Sequence, residues 1–351
     1  MNKKTIFFII AAVSVFFITV QTTFAHEVYV LSPALVAYDI SHPSPNPLSL
    51  IVHPGNREEF LLCAIIGVIL VGGVFLLSIS RWLENALDPM LMKIKRFAPI
   101  IARLTLGFSL IAAAYYKALF GPELPLASLV GQYALLLQVV LYVIGILIVL
   151  GLFVRESAFV ALVIFIIAVV VYKTYMLTYV NYVGEITANM ILGGGLWSLD
   201  RYRQKFSIAN TASLLKQKIE PYAFPVLRVL FGVSALYASW YAKLFHSELA
   251  LDTVYQYHLT NYFHFPPLFI VLGALIIESL IGFFFILGVE IRFTAIFFLF
   301  FLTLSLFFFG EVVWPHLVLI GVNIAFIFHG YDNYSLEGRF FKKRHKQEPV
   351  F

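Results

Sequence analysis

Arg103-LTLGFSLIAAAYYKALFGPE-Leu124 and Arg228-VLFGVSALYASWYAKLFHSE-Leu249 align without a gap and share nine of 22 residues. The identities include Arg103/Arg228, Gly107/Gly232, Ser109/Ser234, Tyr116/Tyr241, Phe120/Phe245 and Glu123/Glu248. Apolar composition alone produces stray matches of Leu or Phe. It does not readily produce Arg, Gly and Glu in register. A second block follows each stretch: Gly145-ILIVL-Gly151-LFV-Arg155 matches Gly282-FFFIL-Gly288-VEI-Arg292. The offset between copies grows from 125 to 137 residues, so the second copy carries extra residues in its first outer loop, 246–265. Arg103, Gly107, Ala114 and Lys117 fall on one helical face, and small residues on a face let helices approach closely in lipid.

The rest of the chain is apolar to the same degree. Hydrophobic residues make up 61% of its 351 residues and charged residues 12%, with a mean hydropathy of +0.91. A soluble domain carries about a quarter charged residues. Soluble enzymes, nucleic-acid binders and disordered tails are excluded. The net charge of +5 sits at the ends of apolar runs and is no nucleic-acid footprint. The single cysteine, Cys63, rules out an intrachain disulfide or a Cys-rich metal site within the chain. The expected fold is an all-α integral membrane protein.

Lys3 and Lys4, the apolar run Thr5–Val20 and Thr23-Phe24-Ala25 form the n-region, h-region and cleavage site of a secretory signal peptide over 1–25. Residues 26–59 are polar and Pro-rich and read as an exported, loosely structured segment. Cleavage would make His26 the N-terminus, where amine and imidazole together suit copper. That His26 simply follows a cleavage site is the simpler reading.

At roughly 20 apolar residues per span, about nine transmembrane helices follow. They lie near 60–80, 98–119, 129–152, 157–178, 183–199, 222–245, 266–288, 293–309 and 313–330. The domains are then a first helix with its inner linker (60–97), repeat 1 (98–199), a basic inner loop (200–221), repeat 2 (222–331) and a basic tail (332–351). Four spans per copy is an even number, so the two four-helix repeats are parallel. With the mature N-terminus outside, 18 Lys and Arg lie at the inner face. Only Arg57, Lys117, Lys173 and Lys243 lie at the outer one. That bias sets the orientation, with the C-terminus in the cytoplasm.

An Arg-x3-Gly opening helix, a Lys near its outer end and a Gly-x5-Gly-x3-Arg turn make a four-helix unit. That unit resembles the DoxX family, whose members include the DoxD subunit of thiosulfate:quinone oxidoreductases. The resemblance covers roughly 97–200 and 222–331, so the unit occurs twice here. It implies a bacterial inner-membrane protein tied to redox metabolism and quinone, and it supplies no catalytic residue set.

Ionisable groups inside spans are costly and mark candidate sites. Lys117 and Lys243 can snorkel to the interface or pair with Glu123 and Glu248 in the following turn. Lys173 and Glu185 flank an outer turn and read as a self-neutralising pair. Arg103 and Arg228 at inner helix ends, and Arg155 and Arg292 in inner turns, are expected to orient helices and bind lipid phosphate. Glu278 lies deep in its span, opposite Leu141 of the first copy. Residues 54–245 contain no histidine, whereas the second copy has His246, His258, His264 and His316 near the outer face.

A ligand site under the loop 246–265, formed by His264, His316, Glu278 and Glu311, would suit a quinone head group. A quinone needs donors to two carbonyl oxygens and a path for protons. The sequence contains no Walker A, dinucleotide or zinc-protease motif. The favoured reading is a redox-accessory protein, not an enzyme on its own, whose partners are the bilayer and a redox protein. A ligand-free structural subunit and a small-solute or metal transporter are the alternatives. Alkaline phosphatase fused after Ser44 should be active and fused after Ser335 inactive; the reverse pattern would overturn the orientation.

Overall fold

In a computed structural model the described residues are 33–52, 57–80, 93–200, 218–310 and 313–341, with a few single positions between them. The signal segment, His26, Glu311, most of the basic inner loop and residues 342–351 lie outside them. Among the described residues there is no β-strand. Six helical runs are long and apolar enough to cross a membrane: Lys95–Tyr116, Leu126–Leu150, Val154–Leu192, Glu220–Phe245, Pro267–Leu287 and Ile291–Phe309. The chain is an all-helical, multi-pass membrane protein.

Six runs are fewer than the nine expected spans, for geometric reasons. The run Val154–Leu192 holds two of the expected spans, joined by a 3-10 turn over Lys173–Tyr179. Val313–His329 is apolar but only 17 residues long. The helix Arg57–Ser80 contains the apolar stretch Phe60–Val74.

We number the helices α1 (Pro33–Ser41), α2 (Arg57–Ser80), α3 (Ala98–Tyr116), α4 (Ala134–Leu150), α5 (Val154–Tyr172) and α6 (Val180–Leu192). They continue with α7 (Ala223–Trp240), α8 (Ser247–Gln256), α9 (Pro267–Leu287), α10 (Ile291–Phe309) and α11 (Val313–His329). Local signals set their ends. α4 and α9 stop at Gly151 and Gly288, both in the left-handed conformation that glycine adopts without steric cost. Pro99 and Pro267 sit in the first turns of α3 and α9, where a missing N–H costs nothing.

Like contacts recur at aligned positions. α3 packs on α4, and α7 on α9. A Cβ on Gly107 would lie 2.9 Å from the Gly145 carbonyl oxygen, and one on Gly232 would lie 2.6 Å from that of Gly282. Neither pair of helices could approach this closely with any larger residue. α6 lies against α7, and α11 against α3, which joins the two halves through four central helices. Gly184 faces Leu227 and Leu230 of α7, and Gly321 faces Thr105 of α3.

One end of the bundle is closed by buried arginines. Arg103 donates to the carbonyls of Gly194, Leu196 and Trp197, the first of these in a very short contact. Arg228 pairs with Asp332 at 2.9 Å and donates to the carbonyls of Phe285 and Ile286. Arg155 and Arg292 donate to Ile191 and Ile327. These guanidiniums satisfy the unpaired carbonyls that every helix end leaves. Binding of lipid phosphate by Arg103 and Arg228, expected from sequence, is corrected here: both are buried against protein carbonyls.

The segment expected to be exported, 26–59, also has regular structure among its described residues. It contains α1, which packs on α8. Ser247 donates its hydroxyl to the Pro45 carbonyl in a short bond. The Pro-rich turn at 42–47 carries no helical period of its own and is held by local bonds, such as Leu48 N–H to Asn46 Oδ1, as well as by this docking.

Arg228→Ala would leave Asp332 buried without its cation, at a cost of about 3–5 kcal/mol. Thermal unfolding in detergent should show a large drop for Arg228→Ala and partial recovery on adding Asp332→Ala. A single variant as stable as the wild type would contradict this role.

Candidate functional site

A cavity of about 630 Å³ opens in the second half of the chain. That volume lies within the ~300–1,000 Å³ of small-molecule sites. Its walls come from α6, α7, α9, α10 and α11, and α8 with the segment to Phe265 roofs it.

The first half shows why the space exists. After α3 the chain turns back through a bridge between Ala118 and Pro125. This drives Phe120 into the bundle, where it is 1% exposed. Its ring lies 4.4 Å from that of Tyr182, 5.5 Å from Phe165 and 6.1 Å from Tyr179. The aligned residues of the second half are Leu319, Leu302 and His316, and all three line the cavity. Phe245, aligned with Phe120, is 52% exposed. The longer 246–265 segment folds as α8 and carries the chain across the top instead of into the bundle. The cavity includes the place that corresponds to the Phe120 ring of the first half.

Its polar corner is built by a change of helical pitch. α7 runs into a π-helical turn, Tyr241–Phe245. Such turns insert one extra residue per turn and often mark functional sites. Lys117 of the first half is an exposed, left-handed cap at the end of α3. Lys243 is instead turned inward and buried. Its ammonium lies 3.0 Å from Glu278 Oε2. Snorkelling of Lys243, or its pairing with Glu248, is therefore corrected: the partner is Glu278, on another helix. Two charges in low dielectric stabilise each other only when paired. Lys243, Glu278 and His316 all line the cavity, and His316 is 2% exposed.

The other expected residues are placed elsewhere. His264 caps the short helix Thr260–Phe263 in a left-handed conformation and is exposed. His258 is exposed as well. Burial pushes the His246 imidazole down, and its ring packs 4.7 Å from Tyr241. Glu123 accepts hydrogen bonds from Tyr175, at 3.0 Å, and from Tyr179. Pairing of Lys173 with Glu185 does not occur: Lys173 is exposed, and Glu185 is buried on α6 with Oε1 2.8 Å from Thr105 Oγ1. The helix begins three residues before the expected span, which carries Glu185 inward. Among the described residues no group of three or more His, Cys, Asp or Glu is arranged to hold a metal ion.

Sequence reasoning missed the tyrosines on the shared wall, Tyr175, Tyr179 and Tyr182. Their spacing of four and three on one helical face was the available signal. It also missed Asp39. This carboxylate sits on α1 against α8, is 1% exposed, and neither oxygen has a hydrogen-bond partner.

No family model matches this chain, and no curated protein or solved structure matches it.

Burial, reinforced by Asp252 and Glu248 and opposed by His42, pushes the Asp39 carboxyl up from 3.8 to about 6. A raised acid binds its proton more tightly when docked. Docking of α1 is thus strongest below pH 3.8 and weakens as pH rises through about 6. Amide exchange in 33–41, corrected for intrinsic rates, should show more protection at about pH 5 than at about pH 7.5. Asp39→Asn should remove the difference, and a wild type with equal protection at both would contradict the assignment.

Proposed function

We propose that this protein is a redox-accessory membrane protein that holds a quinone-class molecule in the outer cavity of its second half. The observation that carries this reading is the cavity itself, an apolar chamber in a membrane-spanning bundle with one polar corner at Lys243, Glu278 and His316. A quinone is a lipid-soluble ring with two carbonyl acceptors. Lys243 supplies a donor, and the apolar walls suit the ring and the start of an isoprenoid tail. The Lys243–Glu278 pair is neutral as a unit, which fits a neutral head group better than an anion. The first half fills the equivalent place with a six-membered ring, Phe120, so the bundle geometry accommodates a planar ring.

The wider assignment rests on sequence. The two aligned blocks, read as parallel DoxX-like four-helix repeats, give the expected nine-span architecture behind a cleaved signal peptide. The bias of basic residues favours an N-terminal segment outside and a tail in the cytoplasm, and the DoxX resemblance implies a bacterial inner membrane. α1 and α8 then face the exterior, where a redox partner would dock.

Purified protein, extracted and examined by mass spectrometry, should carry quinone near one per chain. Glu278→Gln breaks the ion pair, and Ala274→Phe, on the cavity wall, fills the chamber. Both should lower retained quinone, and the affinity for added decylubiquinone, by about tenfold or more, the loss of one charge-assisted contact. Lys117→Met, on an exposed cap, should change neither. A wild type without quinone and without affinity for decylubiquinone overturns the reading, as does equal retention in all variants.

A further inference from the structure

α6 carries Tyr182, Glu185 and Asn189 at steps of three and four, on one face turned into the bundle. Tyr182 reaches the cavity, and its hydroxyl lies 2.7 Å from Ser109 Oγ of α3. One turn further in, Glu185 Oε1 lies 2.8 Å from Thr105 Oγ1, also on α3. Glu185 is 0% exposed, and its Oε2 has no hydrogen-bond partner. Against this corner α3 presents Thr105 and Ser109, α11 presents Gly321, and α7 presents Leu227 and Leu230. None of these carries a charge. Tyr182 is the titratable neighbour.

Hydrogen bookkeeping decides the state of this carboxyl. Thr105 Oγ1 lies 2.9 Å from the Ile101 carbonyl oxygen as well as 2.8 Å from Glu185. A threonine hydroxyl has one proton and two lone pairs. If Glu185 were ionised, that one proton would have to serve both oxygens, and a full charge would lie in the bundle with a single neutral donor. If Glu185 is a carboxylic acid, its O–H donates to Thr105, and Thr105 donates to Ile101. Every proton is then used once, and no charge is buried.

We propose that Glu185 is a proton-holding site of the cavity: a neutral carboxylic acid that exchanges its proton with the chamber by way of Ser109 and Tyr182. Thr105 and Ser109 are four residues apart on α3, about 6 Å along the axis, and the proposed route needs one bridging water between them. Ser109 and Tyr182 are both hydroxyls, and either can donate to the other. The pair can therefore pass a proton in either direction without a charged intermediate side chain. An occupant whose head group takes up or releases a proton beside Tyr182 has a buried acid one helical turn away. The inference rests on the cavity and not on the identity of its occupant.

Infrared spectra of the purified protein test this without any added ligand. The carbonyl stretch of a protonated carboxyl should be present at neutral pH and lose intensity in Glu185→Gln. Gln is isosteric and keeps a donor toward Thr105, and thermal unfolding checks that it folds. Thr105→Val, which removes the acceptor, should move the same band to higher frequency in a chain that keeps Glu185. On transfer into D₂O, the band should exchange about tenfold more slowly in Ser109→Ala and Tyr182→Phe, each of which removes one hydrogen-bonded link. Full band intensity in Glu185→Gln, with no shift in Thr105→Val, would overturn the neutral acid. Exchange at the wild-type rate in both hydroxyl variants would overturn the route. Failure of quinone to co-purify would leave these readouts untouched, so the two proposals fail separately.

Discussion

A helix that ends inside or near a bilayer leaves carbonyls that water does not reach, and something must donate to them. In this protein that donor is a buried arginine one turn into the first helix of each half. Arg228 draws together the end of α9, through Phe285 and Ile286, and the segment after α11, through Asp332. Arg103 does the same with Gly194, Leu196 and Trp197 after α6. Gly151 and Gly288 stand directly against these guanidiniums, where a side chain would collide with them. The arginine, the glycine and the returning segment form one unit, and that unit sets how α3 and α7 sit against their neighbours. The glycine contacts Gly107–Gly145 and Gly232–Gly282 follow further along the same helix pairs.

With the arginine ends alike, the two halves differ where the turns at the opposite ends differ. In the first half the short turn after α3 puts Phe120 among Tyr179, Tyr182 and Phe165. In the second half a longer segment forms α8, and the ring that would have filled the bundle lies outside it. A core phenyl ring left unfilled is a large void by the standards of a packed interior. Here it joins with the π-helical turn at 241–245 to make a chamber with a cation at its edge. The turn and the insertion are adjacent in the chain, and the same local change of path produces both.

Three carboxyls of the bundle are each handled in a different way. Glu278 has a cation at 3.0 Å. Glu123, in the turn after α3, accepts from two tyrosine hydroxyls. Glu185 has only a threonine. The series runs from a paired charge to a group with a single neutral partner. It explains why one of the three is suited to bind as part of an ion pair and another to carry a proton.

Much of the architecture was legible in the chain itself, because hydropathy and helical period are local quantities. The apolar runs, the two aligned blocks and the glycine turns at Gly151 and Gly288 could be read without a structure. So could the excess of polar residues in the second half, since Glu278 and His316 have apolar or aromatic counterparts in the first. The partner of each charge could not be read. Lys243 lies five residues from Glu248 in sequence, yet a π-helical turn rotates it to Glu278, and no periodicity announces a change of pitch. Glu185 read as a turn residue because a 3-10 segment and a helix start three residues earlier than expected carried it inward. Asp39 sat in a stretch read as loosely structured, and only the structure shows its helix packed on α8. Sequence determined which segments enter the membrane, since that depends on composition over a window of about 20 residues. Tertiary structure decided which side chains meet, since that depends on the rotation of one helix against another, and a single inserted residue changes it.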